Sequence, residues 1–285
     1  ALRVNPDIEA NTHEKTTTGK KENKFGIGMA AVRKLAAEAA SLKGVQLCGL
    51  HMHLGSPIYT AGPYVQALKK ISALFAELRS LGCRMDVVNL GGGYCISYTG
   101  EQVVEPEGYA AALKVLLEKL GCRVIIEPGR YIAGPSGVLL ARVLYSKESD
   151  HGKRFVICDA GMNDLMRPTL YGAFHRIWPT RSAGGMPAVM RPQDGHYEQF
   201  RTEIVDVVGP VCESGDFLAL SRPLPPVREG DVLVVFDAGA YGFTMGSDYN
   251  ARPRPAEVLV SAGRAVLARR RETYEDLLAG ERELS

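Results

Sequence analysis

The first 130 residues alternate between short apolar runs and longer segments whose apolar residues recur at helical spacing. Helical spacing covers residues 28–43, 61–82 and 106–121. Strands joined by helices of this length predict a parallel sheet with right-handed crossovers. We therefore expect an α/β fold whose strands are arranged as in a barrel of the TIM type. The four predicted strands are "LRV", "VQLCGLHMHL", "MDVVNLGGG" and "CRVIIEPG".

The rhythm changes after Gly134, where strand-like runs follow one another across Gly, Pro and Asp turns with little helix between them. Such runs predict an antiparallel β domain, closed by a short helix in "ETYEDLLAGE". The sequence thus predicts two domains: residues 1–134 as half of the barrel, and residues 135–285 as a β-sandwich or barrel-like domain. The predicted strands lie in "GVLLARVLY", "KRFVICDAG", "FRTEIVDVVG", "GDVLVVFDAGAYG", "AEVLV" and "GRAVLARR".

Each of the four predicted parallel strands ends in polar residues or glycines. Barrels of this type carry their active sites at the C-terminal ends of the strands. Taken singly, a glycine run most simply indicates a tight turn, and a lone histidine most simply has a structural role. The stretch "EPGR" alone most simply indicates a turn with a surface ion pair. Taken together, they predict a phosphate-bearing ligand on bare backbone N–H groups, with a carboxylate and an imidazole near its ring. The strand ends are Asn5-Pro6, His51 and His53 with Gly55-Ser56, Gly91–Gly93, and Glu127–Arg130.

Charge and cysteine usage exclude several classes of function. The net charge of +2 is too small to favour nucleic acid or a membrane surface as a partner. No apolar run in the sequence is long enough to span a bilayer. The six cysteines show no CxxC spacing, so we expect a reduced, cytoplasmic protein and no metal site.

The stretch "VVGPVCESGDFLA" places a thiol and a carboxylate side by side, at Cys212 and Glu213. Gly209-Pro210 and Gly215-Asp216 bracket the pair, and such residues punctuate turns. The pair is therefore predicted on a connection between strands. An isolated Cys-Glu pair is most simply turn chemistry around a free thiol, and only the remaining motifs favour a functional interpretation.

Taken as a set, these motifs resemble the family of diaminopimelate decarboxylases, which are pyridoxal phosphate (PLP) enzymes of the alanine-racemase-like barrel class. The matching stretches follow the family order over nearly the whole chain, and the set is far more specific than any single motif. The resemblance implies a lyase of lysine biosynthesis that converts meso-2,6-diaminopimelate to L-lysine and CO2. The stretches are "RVNPDIEANTHEKTTTGKKENKFGI", "GLHMHLGS", "NLGGG", "IEPGR", "DAGMNDLMRPTLY", "DVVGPVCESGDFLA", "AGAYGFTMGSDYNARPRPAEVLV" and "RRRETYEDLL".

The resemblance assigns roles in binding the cofactor. Glu127 is expected to pair with the pyridine nitrogen of PLP, where a carboxylate keeps the ring protonated and strengthens it as an electron sink. His53 is expected to stack on the ring, whereas His51 is assigned a structural role. The full set of expected cofactor-binding residues is His53, Ser56, Gly92, Gly93, Glu127, Gly129, Arg130 and Tyr241.

The resemblance also assigns residues to the substrate. Arginine binds carboxylates bidentately, so Arg130 and Arg167 are expected on the distal carboxylate of the substrate. Cys212 is expected to be the proton donor, and Glu213 to contact the distal ammonium group. In the family, the loop that carries them reaches into the partner subunit's site, which implies a homodimer. The expected substrate-binding residues are Arg130, Arg167, Tyr171, Glu213 and Tyr241, and the expected catalytic residues are Cys212, His53 and Glu127.

One element of a PLP enzyme has no match, namely the lysine that anchors the cofactor covalently. Lys20, Lys21 and Lys24 belong to a different motif, and no role follows for Lys24. A closed barrel needs eight parallel strands, and four are predicted. We therefore expect this chain to be the C-terminal part of a longer protein, with the lysine on the missing N-terminal half of the barrel.

Two alternatives remain open. The first is a decarboxylase of the same fold that acts on another basic amino acid or on a carboxylated polyamine. A substrate that ends in a cation has no use for two arginines at its far end, which favours diaminopimelate. The second alternative is a non-catalytic homologue that regulates a partner subunit, because such a protein needs no PLP lysine.

Overall fold

The structure is a computed structural model, and it describes residues 1–8, 24–181 and 201–282. The chain divides into two compact units. The first unit comprises Ala1–Ser97 and Glu101–Ile132, and the second comprises Tyr98–Gly100 and Ala133–Ser285. No helix within the described ranges combines the length and the apolar character needed to cross a membrane. The predicted motif that contains Lys20 and Lys21 lies largely outside the described residues.

The first unit is built on a five-stranded parallel sheet with strand order β2-β1-β3-β4-β5. Its strands contain two to four residues each, and all but the two-residue strand run directly into a loop at the same edge of the sheet. Three helices follow the strands in the predicted alternation. The elements are β1 (Leu2–Asn5), β2 (Ile27–Gly28), α1 (Met29–Ser41), β3 (Gly49–His51), α2 (Gly62–Ser80), β4 (Val87–Asn89), α3 (Pro106–Leu120), β5 (Arg123–Ile125) and α4 (Gly129–Ala133).

The parallel sheet confirms the predicted α/β class, but the predicted number of four strands is wrong. The additional strand, β2, contains two residues and pairs through Val4 with Ile27. Two residues carry no periodic signal, so only the pairing with β1 reveals this strand. The turn before it requires Gly26, whose φ is +70° and whose hypothetical Cβ would lie 2.3 Å from Asn5 Oδ1.

Helix α2 contributes more buried side chains to the first unit than α1 or α3 does. Pro63 occupies its first turn, where the missing N–H costs no hydrogen bond, and the chain reverses beyond it at Gly82 with φ of +86°. Its buried side chains recur every three or four residues, as expected for a helix with one face in the core. These side chains are Tyr64, Ala67, Leu68, Ile71, Leu74, Phe75 and Leu78.

Three buried tyrosines connect this core to the edge where the strands end. The rings of Tyr64 and Tyr94 stack with centroids 5.3 Å apart, and Tyr109 meets both rings edge-on. The Tyr64 hydroxyl donates to the Gly92 carbonyl at 2.6 Å, and the Tyr109 hydroxyl donates to the Ile58 carbonyl at 2.8 Å. Burial raises the pKa of the Tyr94 phenol to about 12 and raises that of Tyr64 as well. The Tyr64 and Tyr109 phenols, whose pKa values are both raised by burial, therefore remain hydrogen-bond donors to the Gly92 and Ile58 carbonyls.

The second unit contains a six-stranded sheet of order β10-β9-β7-β6-β11-β8 and a separate hairpin of β12 and β13. Its core is the buried face of the larger sheet, with Val143, Val156, Val207 and Leu233 among its members. The elements are β6 (Leu139–Glu148), β7 (Arg154–Cys158), α5 (Arg167–Tyr171), β8 (Ile177–Pro179), β9 (Glu203–Val208), β10 (Phe217–Leu224), β11 (Val232–Val235), β12 (Glu257–Ser261), β13 (Arg264–Arg269) and α6 (Tyr274–Leu278).

The predicted antiparallel arrangement holds for most of this sheet, with one exception. Strands β7 and β9 pair in parallel, from Arg154 opposite Val205 to Ile157 opposite Val208. The pattern of apolar residues in a strand reports which face is buried and not which direction its neighbour runs, so this pair could not be predicted. Strands β8 and β10 were also missed, because β8 has three residues and β10 contains two register shifts.

Tyr64→Phe is expected to destabilise the first unit by about 1–3 kcal/mol, because it leaves the buried Gly92 carbonyl without this donor. Tyr131→Phe is the matched control, since its hydroxyl donates to Glu105 at an exposed position where water can replace it. The control should cost less than about 0.5 kcal/mol. Urea-induced unfolding of the complete protein measures both changes, and equal losses would contradict the role assigned to Tyr64.

Candidate functional site

The carboxylate of Glu127 is held at the C-terminal edge of the parallel sheet. Asn89 Nδ2 donates to Glu127 Oε1 at 2.7 Å, and His51 Nε2 lies 3.6 Å from the same oxygen. Strands β3 and β4 position these two partners, because His51 and Asn89 are the paired last residues of those strands. The Glu127 side chain keeps 46% of its surface exposed. The carboxylate is therefore oriented by the sheet and still accessible to a further donor.

His53 lies beside this carboxylate in a defined protonation state. The Gly92 N–H donates to His53 Nδ1 at 3.0 Å, so Nδ1 acts as an acceptor and carries no proton. Burial lowers the pKa of His53, and the nearby Arg3 cation lowers it further. Burial likewise lowers the pKa of His51. Both imidazoles are therefore neutral near pH 7, and Glu127 is flanked by neutral rings.

The glycine run after β4 is required by close approach of the backbone. A Cβ at Gly91 would lie 2.3 Å from the Met52 carbonyl oxygen, and one at Gly92 would lie 2.3 Å from that of Glu127. A Cβ at Gly93, where φ is +105°, would lie 2.3 Å from the Gly55 carbonyl oxygen. No side chain fits at these three positions, so the loops that follow β3, β4 and β5 are held against one another.

Arg130 and Ser56, two further predicted site residues of the first unit, form a polar pair. Arg130 Nε donates to Ser56 Oγ at 3.3 Å, and the Arg130 side chain is 8% exposed. Gly129, the neighbouring predicted residue, is the first residue of α4. A guanidinium beside a hydroxyl has the donor chemistry that phosphate groups require.

The chemistry of this donor set fits pyridoxal phosphate. An accessible carboxylate suits a pyridinium nitrogen, and a neutral imidazole places no second cation beside that ring. Arg130 and Ser56 suit a phosphate group. The first unit thus holds seven of the predicted site residues, namely His53, Ser56, Gly92, Gly93, Glu127, Gly129 and Arg130.

The second unit holds the other five predicted residues, which are Arg167, Tyr171, Cys212, Glu213 and Tyr241. Arg167 and Tyr171 are four residues apart on α5 and therefore share one face of that helix. Tyr241 lies in the loop after β11 with φ of +60° and is 43% exposed.

Arg167 is buried in a cluster of aromatic and imidazole rings. Its Nη1 donates to the Tyr98 hydroxyl at 3.1 Å and lies 2.8 Å from His175 Nε2. The guanidinium carbon is 5.2 Å from the centroid of the Tyr98 ring, within the range of a cation–π contact. Arg167 is 5% exposed and His175 is fully buried. The guanidinium therefore has a single fixed orientation.

Cys212 and Glu213 lie on the connection between β9 and β10, as predicted, and both are exposed. The buried Asp216 carboxylate shapes this connection by accepting the N–H groups of Met162 and Val211, each at 2.6 Å. A helix contact also fixes it, because Thr169 Oγ1 on α5 donates to the Gly215 carbonyl at 2.5 Å. The pair is therefore tied to the helix that carries Arg167.

Two further side chains contact the pair directly. The Tyr249 hydroxyl donates to Glu213 Oε2 at 2.7 Å, and Asn250 Nδ2 lies 3.4 Å from Cys212 Sγ. Asn250 has a left-handed backbone with φ of +58°, a conformation that asparagine adopts more readily than most residues. The pair Cys212-Glu213 is thus held by its own loop and by the "YN" dipeptide.

Sequence reasoning did not single out these supporting residues. Asn89, Asp216, Tyr249 and Asn250 lie inside matching stretches but received no role in the site, whereas Tyr98 and His175 lie outside those stretches and are brought in by the fold. Lys24, for which no role was predicted, lies 5.0 Å from the Phe25 ring centroid. The residues that were missed are Asn89, Tyr98, His175, Asp216, Tyr249 and Asn250.

Comparison with known proteins identifies the first unit. Residues 1–134 match the family model described as "Pyridoxal-dependent decarboxylase, pyridoxal binding domain". The matched range contains Glu127, His53 and the glycine run. The prediction of a pyridoxal phosphate cofactor is therefore confirmed for this family of domains.

Curated relatives match nearly the whole chain. The chain is 40% identical over 276 residues to the diaminopimelate decarboxylase of Aquifex aeolicus. The aligned region covers 96% of this chain and 62% of the relative. The chain is 42% identical over 288 residues to that of Archaeoglobus fulgidus, covering 99% of this chain and 65% of the relative. The chain thus spans somewhat less than two thirds of the length of these relatives.

Solved structures agree. Diaminopimelate decarboxylase from Helicobacter pylori, complexed with L-lysine, matches with a TM-score of 0.86 at 36% identity, over 97% of this chain and 65% of that one. The enzyme from M. jannaschii, also with L-lysine, matches with a TM-score of 0.87 at 35% identity, over 100% and 63%. The chain is thus similar to diaminopimelate decarboxylases over nearly its whole length, and residues 1–134 match a domain of pyridoxal-dependent decarboxylases.

Proposed function

We propose that the protein decarboxylates meso-2,6-diaminopimelate to L-lysine and CO2 with pyridoxal phosphate as cofactor. One observation carries the choice of substrate. Arg167 is buried on α5, and the Thr169 contact of the same helix fixes the loop that bears Glu213. The second unit of each subunit would thus carry, in fixed positions, a cation for a carboxylate and a carboxylate for an ammonium group. The unreacted end of diaminopimelate offers both of these groups.

The residues of the first unit would hold the cofactor. Glu127, oriented by Asn89, would keep a proton on the pyridine nitrogen, and the neutral His53 ring would lie against the cofactor ring. Arg130 and Ser56 would bind the phosphate, together with the glycine run, and Arg130 would also contact the distal carboxylate of the substrate. When bound, pyridoxal phosphate supplies an acceptor for the electron pair that remains at the α-carbon as CO2 leaves.

The residues of the second unit would bind substrate and complete the reaction. Arg167 would bind the distal carboxylate, with Tyr171 beside it on the same helix face, and Glu213 would accept from the distal ammonium group. The Cys212 thiol would donate a proton to the α-carbon after CO2 has left. The exposed Tyr241 hydroxyl is proposed to contribute to cofactor and substrate binding.

We further propose that residues 1–134 are the C-terminal half of the barrel and that the PLP-anchoring lysine precedes them. In support, the side chain of Lys70 extends from α2 to the residues that follow β1. Its Nζ donates there to the carbonyls of Pro6 and Asp7 at 2.9 Å each. Borohydride reduction of the complete protein with PLP, followed by peptide mass mapping, should place the pyridoxyl group on a lysine outside the present sequence. A pyridoxyl group on Lys24 or Lys70 would contradict this.

Homodimerisation with shared active sites is also part of the proposal, as is a cytoplasmic location. Cys212 and Glu213 are exposed within the second unit, and their loop is rigidly held by Asp216. A rigid, exposed loop with a thiol and a carboxylate suits insertion into the site of a second subunit. All six cysteines, each within the described residues, are free thiols, as a reducing compartment requires.

Arg167→Ala should raise the KM for meso-diaminopimelate by about 30-fold or more, because it removes a charge-assisted contact with the distal carboxylate. PLP binding, measured by absorbance, should not change, since Arg167 lies in the second unit. Arg228→Ala is the matched control, an exposed arginine of the same unit that should leave KM unchanged. Unchanged KM in the Arg167 variant would remove this residue from substrate binding.

A substrate panel separates the proposal from its alternatives. CO2 release should be fastest with meso-diaminopimelate and much slower with ornithine, arginine or lysine, whose far ends lack a carboxylate-ammonium pair in the required position. Faster release from one of these would indicate a decarboxylase for another basic amino acid. PLP binding without CO2 release from any of them would indicate a non-catalytic homologue.

Cys212→Ala should lower kcat strongly and leave PLP absorbance unchanged. Coexpression of differently tagged Cys212→Ala and Glu127→Ala chains tests the shared site. If each site combines Glu127 of one subunit with Cys212 of the other, a mixed dimer has one intact site of two. About half of the dimers in a random mixture are mixed, so the mixture recovers about one quarter of wild-type activity. Activity no higher than that of the two parents would contradict a shared site.

A further inference from the structure

We infer that His175 is a positioning residue that fixes the guanidinium of Arg167 for recognition of the substrate carboxylate. This inference rests on the function proposed above, in which Arg167 binds the distal end of diaminopimelate. His175 itself is fully buried, so it acts through Arg167 and not by contact with solvent.

The hydrogen bonds of His175 permit one tautomer. Nδ1 lies 2.9 Å from the Phe236 carbonyl oxygen, which can only accept, so Nδ1 carries the proton. Nε2 lies 2.8 Å from Arg167 Nη1, which can only donate, so Nε2 is the bare acceptor. Each ring nitrogen thus has the partner that the neutral imidazole requires.

The surroundings of His175 keep its ring in place. The Tyr98 ring meets it edge-on, with centroids 5.5 Å apart. The His175 carbonyl accepts from Arg222 Nη1 at 2.9 Å, and the Arg222 guanidinium lies 3.7 Å above the centroid of the Phe174 ring. Two guanidinium groups therefore contact this residue, that of Arg167 at the imidazole ring and that of Arg222 at the backbone carbonyl.

The consequence for Arg167 follows from its planar shape. Its Nη1 carries two N–H groups. One lies against the His175 imidazole and the other against the Tyr98 hydroxyl, so both have an acceptor. Because the guanidinium is planar and rigid, fixing one nitrogen fixes the plane of the whole fork. A carboxylate then meets donors in a prearranged geometry and loses little entropy on binding. Loss of the His175 imidazole would remove one of these two contacts and weaken the restraint on the plane of the guanidinium.

Two substitutions separate the two hydrogen bonds of His175. In His175→Gln, the amide oxygen can stand where Nε2 stood and still accept from Arg167. In His175→Asn, the shorter amide can stand where Nδ1 stood and still donate to Phe236, but it no longer reaches Arg167. Both variants are polar and similar in size, so a difference between them reports the contact with Arg167.

The test uses the complete protein loaded with PLP, with folding checked by circular dichroism. His175→Asn should raise the KM for meso-diaminopimelate about tenfold with a smaller effect on kcat, whereas His175→Gln should stay within about threefold of wild type. Calorimetry adds a readout that needs no turnover. L-Lysine carries the carboxylate that Arg167 would bind, and cadaverine lacks it. His175→Asn should weaken L-lysine binding about tenfold and leave cadaverine binding unchanged.

Coupling to Arg167 decides between positioning and a general structural role. In an Arg167→Ala background, His175→Asn should have no further effect on KM or on L-lysine binding. Equal losses with Asn and Gln, or a full tenfold loss in the Arg167→Ala background, would overturn the inference. A wild-type protein that releases no CO2 from diaminopimelate would instead refute the proposed function, and the comparison of L-lysine with cadaverine would still test His175.

Discussion

Close contact between backbone segments at the C-terminal edge of the parallel sheet is the constraint on which the cofactor-binding group depends. Gly91, Gly92 and Gly93 each approach a carbonyl oxygen of a neighbouring loop so closely that a Cβ would lie 2.3 Å from it. The same approach aligns the Gly92 N–H with His53 Nδ1 at 3.0 Å. The glycines therefore set the tautomer of His53 and bring the His53 and Glu127 loops into register. A side chain at any of the three positions would separate groups that must act together.

The second unit solves a comparable problem with a buried carboxylate. Asp216 accepts two backbone N–H groups from separate segments, and Gly161 and Gly209 leave the space that its oxygens fill, since a Cβ on either would lie within 2.6 Å of them. Burial raises the pKa of Asp216, while the hydrogen bonds from Met162 and Val211 oppose that shift. The turn that displays Cys212 is thus built around a satisfied buried acceptor, which explains why an exposed thiol can be rigid.

The sequence was informative wherever a local pattern and a motif coincided. Alternating strands and helices predicted the parallel sheet, and the residues at the strand ends were predicted as the ligand-binding edge. What could not be predicted depends on long-range pairing. Strand β2 has no periodicity of its own, and the parallel pairing of β7 with β9 leaves no trace in either strand. The assignment of Tyr98–Gly100 to the second unit is equally invisible, because these residues are embedded in the sequence of the first.

The same limit applies to the side chains that support the site. Arg167 could be identified from the stretch "MRPTLY", but its partners Tyr98 and His175 are 69 and 8 residues away along the chain. A buried arginine is costly unless its donors are satisfied, and a neutral imidazole and a phenol satisfy them without cancelling the charge. The Tyr98 hydroxyl and the neutral His175 imidazole are uncharged, so these two contacts leave the charge of the guanidinium in place, which is the property that a carboxylate-binding residue needs.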